Sequence, residues 1–224
     1  MGNLIKENEK NMKKIYIILI LVMIVFSGFF YEYNVKKSYD YSKEPFGNIL
    51  VYQVYRQFNF NGKFVNYSEF LQYSFSKPVG GTFKIIVQEP EQYYIVVINL
   101  SNYVILSVNY PNSSVSLNAN QGQLENIYIP FLKNMSLGSK LKILSYNFTV
   151  VGYTYLDSPV YGKTKTIVLQ AFEKGYIGTS SYNLTITYFY SLNGILLKSS
   201  YLWKSEGVNG NYARNVTSIL YSYK

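Results

Sequence analysis

The sequence predicts an all-β fold: a single antiparallel sandwich or curved, half-barrel-like open sheet of about ten strands, preceded by one N-terminal transmembrane helix. Three observations carry this. From residue 46 onward, short alternating apolar runs are broken by turn residues about every 8 to 14 positions, the rhythm of a β meander. Tyrosine occurs 26 times in 224 residues, and aromatic side chains suit the pleated, half-buried surface of a strand. Residues 15–31 form one uncharged apolar run directly behind Lys13 and Lys14.

That run sets the topology. Its length is at the lower edge of the roughly 17 to 25 residues that cross a hydrocarbon core as a helix. A cationic flank stays in the cytoplasm, so the chain after Tyr31 is delivered outside. Residues 1–14 then form a cytoplasmic basic segment, 15–31 a signal-anchor, 32–45 a linker and 46–224 an extracytoplasmic β domain. A second reading makes the run a cleaved signal peptide, with Val25 and Ser27 at positions −3 and −1 and cutting before Gly28; the domain is then secreted. Phe29 and Phe30 prolong the apolar stretch past that point and favour the anchor, with Tyr31 and Tyr33 at the outer interface.

The strands follow in order. Residues 49–57 read as a strand, turning at Asn61-Gly62, a pair suited to a type I′ hairpin. Residues 67–76 return, closed by the Lys77-Pro78-Val79-Gly80-Gly81 break. Residues 82–88 and 93–100 flank a turn at Glu89-Pro90-Glu91-Gln92, and residues 103–110 come next. The stretches 95–100 and 104–106 are apolar on both faces, which predicts central strands. Residues 124–133 form one short helix or an irregular crossing, with Pro130 inside. Residues 141–156 are long for one strand and predict a bend at Gly152. Residues 161–172, 182–191, 195–204 and 212–223 complete the meander, with a second hairpin signal at Asn193-Gly194.

Composition excludes much chemistry. Cys and His are absent, which removes the usual zinc sites, a Cys nucleophile and a Ser-His-Asp triad; no metal or cofactor is expected. Charged residues are only 15% of the chain, so few carboxylates lose favourable native interactions in acid. Glu89 and Glu91 flank Pro90 in a solvated turn, and Asp157 has no second copy for an aspartic dyad. Lys163, Lys165 and Lys198 alternate along strands as solvated side chains do. Aromatics interleaved with cations would form a nucleic-acid platform, but Tyr52-Tyr55-Arg56 and Tyr201-Trp203-Lys204 are only fragments of one, and no nucleic-acid partner is expected. Trp203, the sole tryptophan, shares a strand face with Tyr201 and reads as core packing or as a surface anchor. Beyond the first 14 residues the net charge is +7, a weak field for anionic partners.

Seven Asn-x-Ser/Thr sequons occur, at Asn66, Asn99, Asn112, Asn134, Asn147, Asn183 and Asn215, roughly twice what 22 asparagines would give by chance. They are candidate glycosylation sites, with Asn112 and Asn134 in polar stretches and Asn99 at the end of an apolar strand.

The run Tyr188-Phe189-Tyr190-Ser191-Leu192-Asn193-Gly194-Ile195-Leu196-Leu197-Lys198, with Leu137 to Leu141, Tyr146 to Gly152 and Thr164 to Gln170 ahead of it, resembles uncharacterised exported archaeal proteins carrying a YYD-x-x-TGILL hairpin. The resemblance covers about residues 128–205 and departs at Ser191 and Asn193-Gly194, where that pattern has Asp and Thr-Gly. Low charge, no Cys or His and abundant Tyr, Ile and Asn are similar to surface proteins of thermoacidophilic archaea. The resemblance implies a membrane-anchored or exported β-rich surface protein and specifies no chemistry. Three functions fit: a non-catalytic, N-glycosylated structural or partner-binding domain (an accessory subunit or envelope component), a half-barrel carrier of lipid or polyprenyl ligand, and an acid-tolerant hydrolase. The partners expected are the membrane and other envelope or membrane-complex proteins.

Overall fold

The computed structural model describes residues 44–111, 120–207 and 210–224. The apolar run 15–31, the segments flanking it and the sequon at Asn112 lie outside the described residues. Within the described residues no helix is long and apolar enough to cross a membrane.

Among the described residues eleven strands form one antiparallel sheet. They are β1 (Ile49–Phe60), β2 (Lys63–Phe75), β3 (Thr82–Gln88), β4 (Tyr93–Asn99), β5 (Ile105–Asn109), β6 (Lys140–Ile143), β7 (Tyr146–Ser158), β8 (Gly162–Ile177), β9 (Ser180–Ser191), β10 (Leu196–Gly207) and β11 (Gly210–Tyr223). Their spatial order is β5-β4-β3-β2-β1-β11-β10-β9-β8-β7-β6. Two meanders thus run outward from the centre, and β1 zips to β11 from the Leu50–Tyr223 pair to the Phe60–Tyr212 pair. Strands consecutive in sequence are adjacent in space except β5 and β6, which lie at opposite edges and are joined by the one long crossing.

That crossing packs as a strap over one face. Alternation in β1 turns Leu50, Tyr52 and Val54 inward, where they are buried with Phe83, Ile85, Ile98, Phe148, Leu169, Tyr190 and Leu220. Ile127, Tyr128, Ile129 and Leu132 of the strap are buried against them, each full burial contributing roughly 1.5–3 kcal/mol. The Tyr128 ring meets Phe46, Phe75 and Tyr103 edge-on. Pro130 opens a 3₁₀ turn, Pro130–Asn134, where its missing N–H has no partner to lose. The irregular crossing is therefore what forms here, and no α-helix.

Leu124 curls the sheet. It bridges Val104, beside β5, and Ile143 of β6 at once. The Ile105 N–H donates to Gln123 O at 2.8 Å and the Leu144 N–H to Leu124 O at 3.2 Å. The two edges are one residue-wide strand apart at this end, so the sheet is a curved half-barrel whose inner face carries the strap.

Most strand expectations hold, with two differences. The apolar stretch 104–106 belongs to an edge strand instead of a central one, because the strap covers Ile105 (2% exposed) while Leu106 stays exposed. The 141–156 stretch breaks into β6 and β7 at Leu144, which takes φ +50°; positive φ is uncommon for leucine, and Ser145 alone is a weak turn signal. The bend expected at Gly152 is a β-bulge between Val150 and Gly152. Asn61 and Gly62 adopt φ +48° and +84°, as a type I′ turn requires. At the Asn193-Gly194 turn, buried Ser191 accepts the Ile195 N–H at 3.1 Å and donates to Asn193 Oδ1. The hydroxyl organises this hairpin where the resembling pattern carries Asp.

Candidate functional site

Strands β1, β2, β8, β9, β10 and β11 run past the strap, and their shared register writes three further rows on the inner face. The first is Tyr67, Arg56, Val216, Tyr201, Ile186, Ala171; the second Val65, Phe58, Arg214, Trp203, Leu184, Glu173; the third Lys63, Phe60, Tyr212, Ser205, Tyr182, Gly175. Leu184, Ile186 and Ala171 are buried, while Phe58, Tyr201, Trp203, Tyr212 and Tyr182 are half-buried. The result is a trough of half-buried rings on the inner face beside buried Leu184, Ile186 and Ala171; Tyr146 of β7 lines a hollow of about 280 Å³ together with those three.

The rings form a connected array. Phe58 stacks on Tyr67 at 5.9 Å, Tyr212 meets Trp203 edge-on at 5.3 Å and Trp203 meets Tyr182 at 6.3 Å. A Cβ on Gly175 would stand 2.7 Å from the Tyr182 ring, so glycine there is what lets that ring lie across the neighbouring strand. The Tyr182 hydroxyl donates to Glu173 at 2.6 Å. Arg56 is ion-paired with Glu69. Arg214 has its guanidinium 5.4 Å from the Phe58 centroid and 5.8 Å from that of Tyr201, with a buried Nε that has no hydrogen-bond partner.

At the strap, Glu125 lies within electrostatic range of Tyr52, Tyr73, Tyr94, Tyr188 and Tyr190. Its enclosed carboxyl is pushed up from 4.5 to about 7 by burial, offset in part by the N–H groups of Asn126 and Ile127. Desolvation likewise raises Tyr52, Tyr73, Tyr94 and Tyr190, and Tyr188 to about 12, with Glu125 adding to each. Tyr52 donates to Leu196 O and Tyr190 to Asn126 O, both at 2.6 Å. Tyr146 lies within electrostatic range of Tyr188, Tyr201 and Tyr182, which joins this polar end to the aromatic trough.

The fragments singled out in the sequence separate by face. Tyr201 and Trp203 share the trough, but Lys204 points outward; Tyr52 is buried and Tyr55 lies on the outer face away from Arg56. The cation that completes the array is Arg214, for which the alternation Tyr212-x-Arg214-x-Val216 was the available signal. Lys163 and Lys165 are exposed over the Tyr155 and Tyr153 rings at 5.7 and 5.5 Å. Glu89 and Glu91 sit in the expected turn, Glu89 N–H donating to Gln92 O at 2.8 Å. Among the sequons, Asn66, Asn147, Asn183 and Asn215 are exposed on the outer face, and Asn66 and Asn215 border a shallow groove of about 420 Å³. Asn134 is exposed at the last position of the 3₁₀ turn, whereas half-buried Asn99 accepts from the Ser101 N–H and hydroxyl at 2.8 and 2.7 Å.

No family model matches the chain, and no curated protein matches it in sequence. Among solved structures it is similar to a protein from Bacteroides fragilis described as exported, with a YmcC-like fold (11% identity, 80% of this chain and 96% of that one, TM-score 0.39). A protein from Parabacteroides distasonis described as a lipoprotein is similar at 9% identity, over 82% and 98% of the two chains, with TM-score 0.38. A domain from Vibrio parahaemolyticus described as an outer membrane lipoprotein-sorting protein is similar at 10%, over 85% and 89%, with TM-score 0.27. These are bacterial proteins, where the sequence resemblance pointed to archaea. Likeness at this level assigns neither a family nor an activity to the chain.

Proposed function

We propose that the β domain is a non-catalytic binding domain held outside the cytoplasmic membrane, and that its concave trough takes an elongated, largely apolar ligand. The half-exposed rings of Phe58, Tyr201, Trp203, Tyr212 and Tyr182, aligned over three rows past the strap, carry this reading, since apolar surface left open in a concave face marks a binding site. The carrier reading is favoured over a purely structural domain because the rings line the inner face, where another folded protein would reach them less readily than a chain. An acid hydrolase would need a second carboxylate beside the first; Glu89, which acts on Tyr73 and Tyr94 as Glu125 does, is held in its own turn by the Gln92 amide at 3.0 Å. The anchor at residues 15–31 would keep the domain at the membrane, and the sequons at Asn66, Asn147, Asn183 and Asn215 would place glycans on the convex face, leaving the trough clear.

Trp203, the only tryptophan, provides the test. With the full chain in a non-ionic amphipol, 9,10-dibromo-octadecanol should quench its emission saturably. Absence of quenching in a protein with native near-ultraviolet circular dichroism would overturn the reading.

A further inference from the structure

We propose that Arg214 anchors the anionic head of an amphiphile whose chain lies along the trough; this rests on the binding role of the trough. Arg214 sits in the central row of the inner face, between Phe58 of β1 and Trp203 of β10. It is half-buried, and the ion pair found among the described residues joins Arg56 to Glu69, leaving Arg214 without a carboxylate. The guanidinium carbon lies over the Phe58 and Tyr201 rings, 5.4 and 5.8 Å from their centroids. Contact with a ring face uses no N–H donor, and the buried Nε has no acceptor. A buried donor without an acceptor is costly, and a partly desolvated guanidinium is the group best shaped to grip a carboxylate or phosphate through two parallel hydrogen bonds.

The surroundings orient the ligand. Glu173 ends the same row three strands away and is held by the Tyr182 hydroxyl, so an anion is disfavoured there. Between Arg214 and Glu173 lie half-buried Trp203 and, beneath its neighbours, buried Leu184, so the open part of the Trp203 ring is the surface an alkyl chain would meet. The occupant is therefore negative at one end and apolar along its length. A carboxylate or phosphate monoester head on a hydrocarbon tail meets both demands.

The test compares probes of equal chain length on the full chain in non-ionic amphipol at pH 8, reading Trp203 emission below the aggregation concentration of each probe. 9,10-Dibromostearate should half-quench at a concentration at least tenfold below that of 9,10-dibromo-octadecanol. Arg214→Gln should abolish that difference while leaving quenching by the alcohol intact, and Arg214→Lys should restore part of it. Equal quenching by acid and alcohol in the unmodified chain, or an unchanged preference in Arg214→Gln, would overturn the anchor while the trough reading stands. Failure of both probes would remove both. Inorganic phosphate that displaces dibromostearate at similar concentration would overturn the amphiphile, since the head alone would then suffice. Should Arg214→Gln fail to fold, the comparison of Arg214→Lys with the unmodified chain decides.

Discussion

Glu125 should make this domain more stable in mild acid than at neutral pH, the reverse of ordinary acid unfolding. Its carboxyl rises from 4.5 to about 7 because burial penalises the charge more than the Asn126 and Ile127 amides relieve it. Between these values the native state holds the proton while the unfolded chain has released it, so stability is full below about pH 4.5 and falls as pH climbs toward 7. At 1.36 kcal/mol per tenfold change, the loss is about 3 kcal/mol at its upper end, a large share of a typical domain's 5–15 kcal/mol. Glu125→Gln keeps the shape and an acceptor for the same amides but has no proton to lose. Urea unfolding at pH 4.5, 6 and 8, followed by Trp203 emission, should show the unmodified protein weakening with pH and the variant holding nearly level. The two should converge at pH 4.5. Parallel pH dependence in both proteins would refute the assignment.

Three further outcomes can be measured. Gly194→Ala should destabilise by about 3 kcal/mol or more: φ is +85°, costing a side chain about 1–2 kcal/mol, and the new Cβ would stand 2.6 Å from Pro130 Cα and nearer still to the Ile129 carbonyl, prising away the strap whose Ile129 N–H donates to Gly194 O; an unchanged urea midpoint would contradict this docking. Tyr190→Phe should lower stability by about 1 kcal/mol through loss of the 2.6 Å bond to Asn126 O, read as a shift in thermal midpoint. Arg214→Met should leave the midpoint unchanged or raise it, because replacing a desolvated, unpaired charge with an apolar chain is neutral to favourable; a marked loss would make Arg214 a structural residue.

The β meander was legible because strand periodicity and turn chemistry are local. Asn61-Gly62 needed nothing but its own backbone preference to specify a hairpin, and residues 82–88 between a Gly-Gly break and a Pro turn could be little else than a strand. The trough was not legible in the same way. Tyr201 and Trp203 were visible as a pair on one strand, but Arg214, Tyr182 and Phe58 come from strands separated by up to about 150 positions and meet only through register. Glu125 is one of ten acids beyond residue 31, and nothing in its sequence neighbours announces its surroundings.

The amino-acid order by itself determined the all-β class, the rhythm of the strands and the absence of Cys and His chemistry, because these depend on composition and on contacts a few residues long. The closure of the sheet by Leu124, the edge position of β5, the burial of Glu125 and the gathering of aromatic rings around an unpaired Arg214 were decided by the tertiary structure. Each is a matter of which distant segments the one long crossing brings together, and no local preference encodes that.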